Sequence, residues 1–170
     1  MADLPEALIG TFIDAAVRDP PAAEALLQSH PELLNARWIH DETVLHFLAV
    51  EGFGDAVRFL AERGADVNAV NEFGNSVLVE VVKLGYESIA ATLLRHGANP
   101  DATSPIDENV LHLAVTKGHA GIVRMLFEAG VSWDYVTEDG DSLWDAVAES
   151  LDPDDILAVL AEFGVTLSNE

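Results

Sequence analysis

The sequence predicts an all-α solenoid of about five helix-turn-helix units joined by short hairpin loops, with a cap at each end. Three observations lead to this prediction: a 33-residue period, helical spacing of apolar residues within each period, and a 170-residue chain without a linker-like segment. Short helix pairs are marginal alone and bury a continuous core only when they stack. We therefore expect a single domain, 1–170.

The period is visible at three landmarks. A polar residue followed by an apolar pair opens the units at Thr43, Ser76, Asn109 and Ser142. A Gly-Ala-Asp-Val-Asn type of segment begins at Gly64, Gly97 and Gly130. Another glycine, followed by an aromatic ring, stands at Gly52, Gly85 and Gly118. The landmarks predict cap units over 1–37 and 137–170, and full repeats over 38–70, 71–103 and 104–136.

The residue types at these landmarks suit the ends of helices. Side-chain oxygens of Thr, Ser and Asn accept hydrogen bonds from the free N–H groups at a helix start. Apolar residues then recur at helical spacing, as in the run from Val44 to Ala49. Glycine suits the left-handed residue that ends a helix. Each unit is therefore predicted to hold two helices, each about nine to eleven residues long.

These residues resemble the ankyrin repeat, in which Thr-Pro-Leu-His opens the first helix and Gly-Ala-Asp-Val-Asn follows the second. The likeness is clear over 38–137, weaker over 138–166 and faint before 38, where 30–37 resembles the lead-in of bacterial ankyrin arrays. The motif's proline is Val or Leu in every copy, and its histidine is lost at Val79 and Asp145. The resemblance implies that the remaining histidines, His46 and His112, tie each hairpin to the helix start.

The two ends are predicted to be helix pairs that close the stack. The first pair breaks at Asp19-Pro20-Pro21, where the prolines favour a new helix start. The last pair has a turn one residue longer than the others, over 151–155, and its Trp144 takes the motif's leucine position. We expect Trp144 to lie in the core.

Charge is the strongest feature of the composition: 8 basic residues stand against 30 acidic ones, for a net charge of −22. No Lys or Arg follows Arg124, whereas twelve Asp or Glu lie between Glu128 and Glu170. Such a field repels nucleic acids and anionic lipids and attracts basic partners. Two interpretations stay open: an acidic surface that serves solubility, and an acidic surface shaped for a basic protein.

Neither targeting nor catalytic motifs are found. The chain has no cysteine, no secretory leader and no apolar run long enough for a membrane span, so we expect a cytoplasmic protein. It has no phosphate-binding loop and no His-Glu-x-x-His pair. Chance pairs are unavoidable among 30 carboxylates and carry no signal. We expect no enzyme activity, no cofactor and no metal site.

The resemblance implies that a protein partner lies along the hairpin tips and the inner helices. Apolar residues at tip or helix-end positions, surrounded by carboxylates, are typical of an interface centre with a charged rim. Packing of the tips against one another stays open as the alternative. The candidate protein-binding residues are Ile39, His40, Glu42, Glu51, Glu72, Phe73, Asn75, Lys83, Leu84, Ile106, Glu108, Lys117, Glu138, Asp139 and Asp141.

The fold does not choose among the functions that such a surface could serve. The first is a non-enzymatic interaction module that holds a protein partner, as an adaptor does. The second is an immunity or inhibitor protein that neutralises a basic toxin or enzyme, and the third is an effector that acts on a host protein. In each case we expect a monomer that binds a basic protein surface and neither nucleic acid nor membrane.

Overall fold

A computed structural model of the chain describes residues 4–104 and 109–166. Within these residues, paired helices follow one another along the chain, and two short 3₁₀ turns, Pro31–Asn35 and Ile39–Asp41, lead into the third helix. The α-helices of this part are α1 Glu6–Arg18, α2 Pro20–Ser29, α3 Val44–Val50, α4 Gly54–Ala61, α5 Val77–Leu84, α6 Glu87–Arg95, α7 Val110–Thr116, α8 Ala120–Glu128, α9 Leu143–Ala148 and α10 Pro153–Glu162. The all-α prediction is confirmed.

Capping residues begin the inner helices as the sequence predicts. The side-chain oxygens of Thr43, Ser76 and Asn109 accept hydrogen bonds from backbone N–H groups three residues on, at 3.2, 3.4 and 2.8 Å. Ser142 differs, because its N–H and its hydroxyl both donate to the Asp145 carboxylate, at 2.7 and 2.6 Å. These bonds lower the pKa of the Asp145 carboxyl.

The helices form two rows. The inner row is α3, α5, α7 and α9, the outer row is α4, α6, α8 and α10, and each helix packs on its neighbour in the row and on its partner in the pair. The inner helices have six to eight residues and the outer ones eight to ten, so the predicted length of nine to eleven was too long for the inner row. Fully buried leucines such as Leu45, Leu78 and Leu111 fill the space between the rows.

Hairpins connect each outer helix to the next inner helix. Single antiparallel bridges close three of them, between Arg37 and Thr43, Val70 and Ser76, and Thr103 and Asn109. The tip of the third hairpin falls at 105–108, outside the described residues, so the predicted positions of Ile106 and Glu108 have no structural counterpart here.

A ladder of side chains joins successive units below the hairpins. The Oδ1 atoms of Asn35, Asn68 and Asp101 accept from the backbone N–H groups of Asp66, Asn99 and Ser132, at 2.8, 2.8 and 2.7 Å. Each bond spans 31 residues and links a unit to the following one. Asn68 also donates from Nδ2 to the Gly97 carbonyl at 2.9 Å. The last residue of the Gly-Ala-Asp-Val-Asn landmark therefore holds neighbouring units in register.

Replacing Asn68 should weaken this link. Asn68→Ala removes the acceptor for the Asn99 N–H and the donor to Gly97, and we expect a loss of about 1 kcal/mol in the free energy of unfolding, measured by urea titration. Asn68→Asp is the matched control, because it keeps the acceptor that Asp101 provides in the next unit. An Ala variant as stable as the Asp variant would contradict a role for the accepted bond.

Candidate functional site

Two apolar side chains stand exposed at the first two hairpin tips. Ile39 is 52% exposed and Phe73 is 58% exposed, although large apolar side chains are usually covered. The repeat register of the sequence predicts both of them at hairpin tips. Side chains of this size contribute binding free energy when a partner covers them.

The same two tips also contact each other. His40 Nδ1 donates to Glu72 Oε1 at 2.5 Å, and the His40 ring lies 5.6 Å from the Phe73 ring. The Glu72 N–H donates to the His40 carbonyl at 3.0 Å. The two tips thus pack on each other through His40, Glu72 and one side of the Phe73 ring, while Ile39 and the greater part of Phe73 remain open to solvent.

Arg37 fixes the first tip from below. Its Nη1 donates to the carbonyls of Asp41 and Val70 at 2.6 and 2.8 Å, and to Asp41 Oδ2 at 2.9 Å. His40 and Asp41 both adopt left-handed backbone, with φ of 57° and 54°. Several bonds to neighbouring groups compensate the strain of this conformation, so the tip is held in a defined shape.

The hairpin tips and the inner helices together form a surface that we call the inner surface. Leu84 lies at the end of this surface that is opposite to the tips. It is 45% exposed and ends α5, whereas Phe73 precedes the start of the same helix. Eight residues of α5 at 1.5 Å per residue separate the two ends by about 12 Å. The structure therefore does not bring Leu84 together with Ile39 and Phe73, and a partner that touches all three must extend along α5.

Carboxylates line the surface between these apolar residues. Glu42 is half-buried, and burial followed by the nearby Glu80 carboxylate raises the pKa of its carboxyl. Asn75 Nδ2 donates to Glu80 Oε1 at 2.6 Å, and Lys83 Nζ lies 3.7 Å from the same oxygen. The sequence did not predict Glu80 as a site residue, because Glu80 lies one turn inside α5 and the predicted residues lie at hairpin tips and helix ends.

The fourth hairpin adds a second group of carboxylates. Glu138, Asp139 and Asp141 are exposed, and the Asp141 N–H donates to Thr137 Oγ1 at 2.9 Å, which shapes the turn. Further predicted residues, Glu51 and Lys117, are exposed at the far ends of the inner helices. Acidic groups therefore occur at both ends of the inner surface.

The histidines at the starts of the inner helices are buried groups of the framework. His46 is fully buried, with Nδ1 3.0 Å from Thr43 Oγ1 and Nε2 3.3 Å from the Asn75 carbonyl. His112 Nδ1 donates to Asn109 Oδ1 at 2.9 Å. Across residues 4–104 and 109–166, no three His, Asp or Glu side chains converge in a way that could hold a metal ion.

Comparisons with known proteins agree with this architecture. Residues 12–104 and 55–139 match the family "Ankyrin repeats (3 copies)". The chain is 31% identical over 121 residues to E3 ubiquitin-protein ligase XBAT33 of Arabidopsis thaliana, a match covering 69% of this chain and 24% of that protein. It is 35% identical over 117 residues to the B-cell lymphoma 3 protein homolog of Mus musculus, covering 66% and 26%.

A third relative is shorter. Cyclin-dependent kinase 4 inhibitor B of Rattus norvegicus is 37% identical over 87 residues, which cover 51% of this chain and 66% of that protein. The chain spans only about a quarter of the length of the first two relatives. No helix in the described part is long and apolar enough to cross a membrane. Stacked helix pairs, hairpin bridges and the family match together show that the chain belongs to the ankyrin-repeat family, whose repeats are protein–protein interaction modules.

Proposed function

We propose that the chain is a non-enzymatic interaction module that binds a basic protein surface along the hairpin tips and inner helices. The observation that carries the proposal is the exposure of Ile39 and Phe73 at the tips that also hold the carboxylates of Glu42 and Glu72. Leu84 adds an exposed apolar side chain at the other end of α5. Apolar anchors supply binding free energy, and the acidic surroundings select cationic partners and speed their association.

Glu42 and Glu80 support a basic partner in particular. Burial raises the pKa of Glu42, and the nearby carboxylate of Glu80 raises it further, because two like charges repel. A Lys or Arg placed between them would relieve this repulsion. Lys83 lies 3.7 Å from Glu80 and is half-buried, and a basic group of the partner would add to its positive charge.

Inhibition is the second candidate function. One relative is, by its name, an inhibitor of cyclin-dependent kinase 4, and the match spans 66% of that protein. A chain of this kind could cover the cleft of a basic toxin or enzyme in the same way that it holds any basic surface. A role as an effector on a host protein, a bacterial source, a monomeric state and a cytoplasmic location stay predictions; the relatives named above come from a plant and from mammals.

The test compares two variants on an affinity column loaded with lysate of the native organism. Phe73→Ala/Leu84→Ala should retain at least tenfold less of the specific partner than the wild type, because both apolar anchors are lost. Its thermal midpoint should fall by less than about 4 °C, since both side chains are largely exposed. Leu157→Ala is the matched control: Leu157 is 40% exposed and lies on the outer helix α10, not on the hairpin tips or the inner helices.

Further arms of the experiment separate the alternatives. The purified partner should associate with the chain more slowly at about 500 mM salt than at about 50 mM salt, because salt screens the attraction between opposite charges. Loss of the partner's enzymatic activity on stoichiometric binding would select the inhibitor function. Equal retention by the double variant, or a large drop in its thermal midpoint, would contradict the proposed surface.

A further inference from the structure

An ion pair and a ring stack close the groove between the outer helices α8 and α10. Arg124 is the fifth residue of α8 and Glu162 is the tenth residue of α10, and Arg124 Nη2 donates to Glu162 Oε1 at 3.0 Å. Beside this pair, the rings of Phe127 and Phe163 stack with their centroids 4.9 Å apart. Long side chains at these positions therefore span the groove from one helix to the next.

The same two positions are joined near the start of the chain, with the charges exchanged. Glu24 is the fifth residue of α2, and its Oε2 accepts from Arg63 Nε at 2.6 Å. Arg63 is tenth when counted from the start of α4. An ion pair between the fifth position of one helix and the tenth position of the next thus occurs twice in the described part of the chain.

The groove between α6 and α8 has no such bridge. The fifth residue of α6 is Ala91, and the tenth position counted from the start of α8 is Ala129, so neither side chain reaches across. An open groove of about 460 Å³ remains, in which the half-buried Leu94 and Met125 provide further apolar surface. We call it the α6–α8 groove. Because α4 and α10 flank these two helices, the groove is an internal feature of the outer row.

Two side chains of opposite charge stand on the rims of this groove. Arg95 lies on the α6 side and Glu128 on the α8 side, and both are exposed. Arg95 donates from Nε to the Ala91 carbonyl at 3.1 Å and from Nη2 to Thr92 Oγ1 at 3.3 Å, both on its own helix. Among the described residues, Arg95 has no carboxylate within ion-pair distance, whereas every other arginine has one: Arg18, Arg37, Arg58, Arg63 and Arg124. Its guanidinium is therefore available for a carboxylate from outside the chain.

The rim charges distinguish the possible occupants of the groove. Arg95 and Glu128 hold the same position in two packed helices, whose axes such packing places about 8 to 10 Å apart. Nucleic acids and anionic lipids carry only negative charge, which Glu128 and the net charge of −22 repel. A second copy packed groove to groove would match the rim charges, but its own groove offers no protruding side chain to fill the opposite one. A segment with an apolar side chain between a carboxylate and a cation satisfies both rims and the space between them.

We propose that the α6–α8 groove binds a segment of a partner protein in which an aromatic side chain stands between an acidic and a basic residue. The ring fills the space over Leu94 and Met125, the carboxylate pairs with Arg95, and the basic group pairs with Glu128. The ring stack between α8 and α10 supports an aromatic occupant, because there the chain itself fills the next groove along with rings. This site lies on the outer helices and does not rest on the function proposed for the inner surface.

The methyl NMR signal of Met125 gives a direct test. The sequence has two methionines, Met1 and Met125, so isotope labelling of methionine methyl groups places one reporter in the groove of the full chain. Met125→Leu identifies the signal by its loss. The probe is the peptide Gly-Glu-Phe-Lys-Gly, blocked at both ends. We expect a saturable upfield shift of the Met125 signal, because a ring lying over the methyl group shields it. The peptide with Ala in place of Phe should bind at least about tenfold more weakly, although its charges are the same.

Arg95→Gln tests the carboxylate contact. It should weaken binding of the Phe peptide about threefold, as expected for an exposed ion pair. With a peptide that carries Gln in place of Glu, the same substitution should have no effect, because no ion pair is left to lose. Phe73→Ala is the matched control: Phe73 is 58% exposed on the inner surface, and its loss should leave the affinity unchanged.

A second variant closes the groove. Ala91→Arg/Ala129→Glu introduces at the fifth and tenth positions the residue types that pair as Arg124 and Glu162. We expect this closing variant to bind the Phe peptide at least about tenfold more weakly than the wild type, since the new side chains occupy the space of the ring. Ala129 is exposed and Ala91 is half-buried, so the variant should keep the fold, which urea unfolding verifies.

Four results would overturn the proposal. The first is equal affinity for the Phe and Ala peptides, which means attraction by charge alone. The second is weakening by Phe73→Ala but not by the closing variant, which moves the peptide to the inner surface. The third is a dimer in sedimentation equilibrium that the closing variant dissociates, which means that a second copy occupies the groove. The fourth is a Met125 signal that does not move with the peptide, which means that the groove does not admit the ring.

Discussion

Gly85→Ala should lower the free energy of unfolding by about 3 kcal/mol, the largest effect of any single substitution considered for this chain. Two costs add at this position. Gly85 has φ of +71°, a left-handed conformation in which a Cβ costs about 1 to 2 kcal/mol. A Cβ would also stand 2.8 Å from His119 Cε1 and 3.0 Å from His119 Nε2, closer than any relaxed contact allows.

The position of Gly85 explains why these two costs coincide. Gly85 ends the inner helix α5, and its close neighbour His119 begins the outer helix α8 of the following unit. The imidazole therefore packs over the glycine of the preceding turn, as the Tyr86 ring packs 3.5 Å from the Cβ position of Gly52. The Gly-aromatic landmark of the sequence is thus a contact between units, and a side chain at the glycine would displace the His119 ring from its packed position.

Gly97→Ala is the matched control. Gly97 has φ of +88° but no atom within 4 Å of its Cβ position, so this variant carries only the conformational cost of about 1 to 2 kcal/mol. Urea unfolding of both variants measures the difference, which we expect to be about 1 to 2 kcal/mol and which reports the steric contact with His119. In the His119→Ala background, Gly85→Ala should cost no more than Gly97→Ala. Equal losses for the two glycines in the wild-type background would contradict the contact.

The local features of the fold could be predicted from the sequence because they depend on nearby residues. Residues only a few positions apart determine the helix caps at Thr43, Ser76 and Asn109 and the helix break before Pro20. The structure confirms each of these features. The ladder through Asn68 was not predicted, because its bond reaches 31 residues along the chain. The one related signal in the sequence is Asn35, which lies 33 residues before Asn68 in the preceding unit.

Fewer features of the proposed binding surface than of the helical framework could be predicted from the sequence. Exposure of Ile39, Phe73 and Leu84 follows from the repeat register, and the structure agrees on that exposure. The contact of His40 with Glu72 could not be foreseen, since it depends on left-handed backbone at a residue other than glycine.

His46→Val should lower the free energy of unfolding by about 2 kcal/mol at pH 7.5, and this loss should shrink as the pH falls. The second repeat has valine at the matching position, Val79, so the substitution is compatible with the fold. Valine removes the donor to the Asn75 carbonyl, which lies 3.3 Å from His46 Nε2. That carbonyl keeps the bond from the Asn71 N–H at 3.0 Å, and the lost imidazole bond together with the lost packing volume sets the expected magnitude.

The hydrogen bonds require a neutral imidazole. Because the Asn75 carbonyl can only accept, Nε2 carries the proton, and Nδ1 accepts from the Thr43 hydroxyl at 3.0 Å. Burial lowers the pKa of His46 below its ordinary value of 6.5, against the opposing effect of the Asn75 carbonyl. The unfolded chain therefore binds a proton at His46 before the folded chain does, so this residue's contribution to stability is complete above pH 6.5 and is lost as the pH falls below it.

Comparison of the two proteins isolates this contribution from the rest of the molecule. With a net charge of −22, the whole chain repels itself, and protonation of its many carboxylates on acidification relieves that repulsion in wild type and variant alike. The difference in unfolding free energy between wild type and His46→Val cancels this common change. We expect the difference to be constant above pH 7 and to decrease between pH 6.5 and 5. A difference that stays constant down to pH 5 would show that His46 is protonated as readily in the folded chain as in the unfolded one, and that its burial does not hold it neutral.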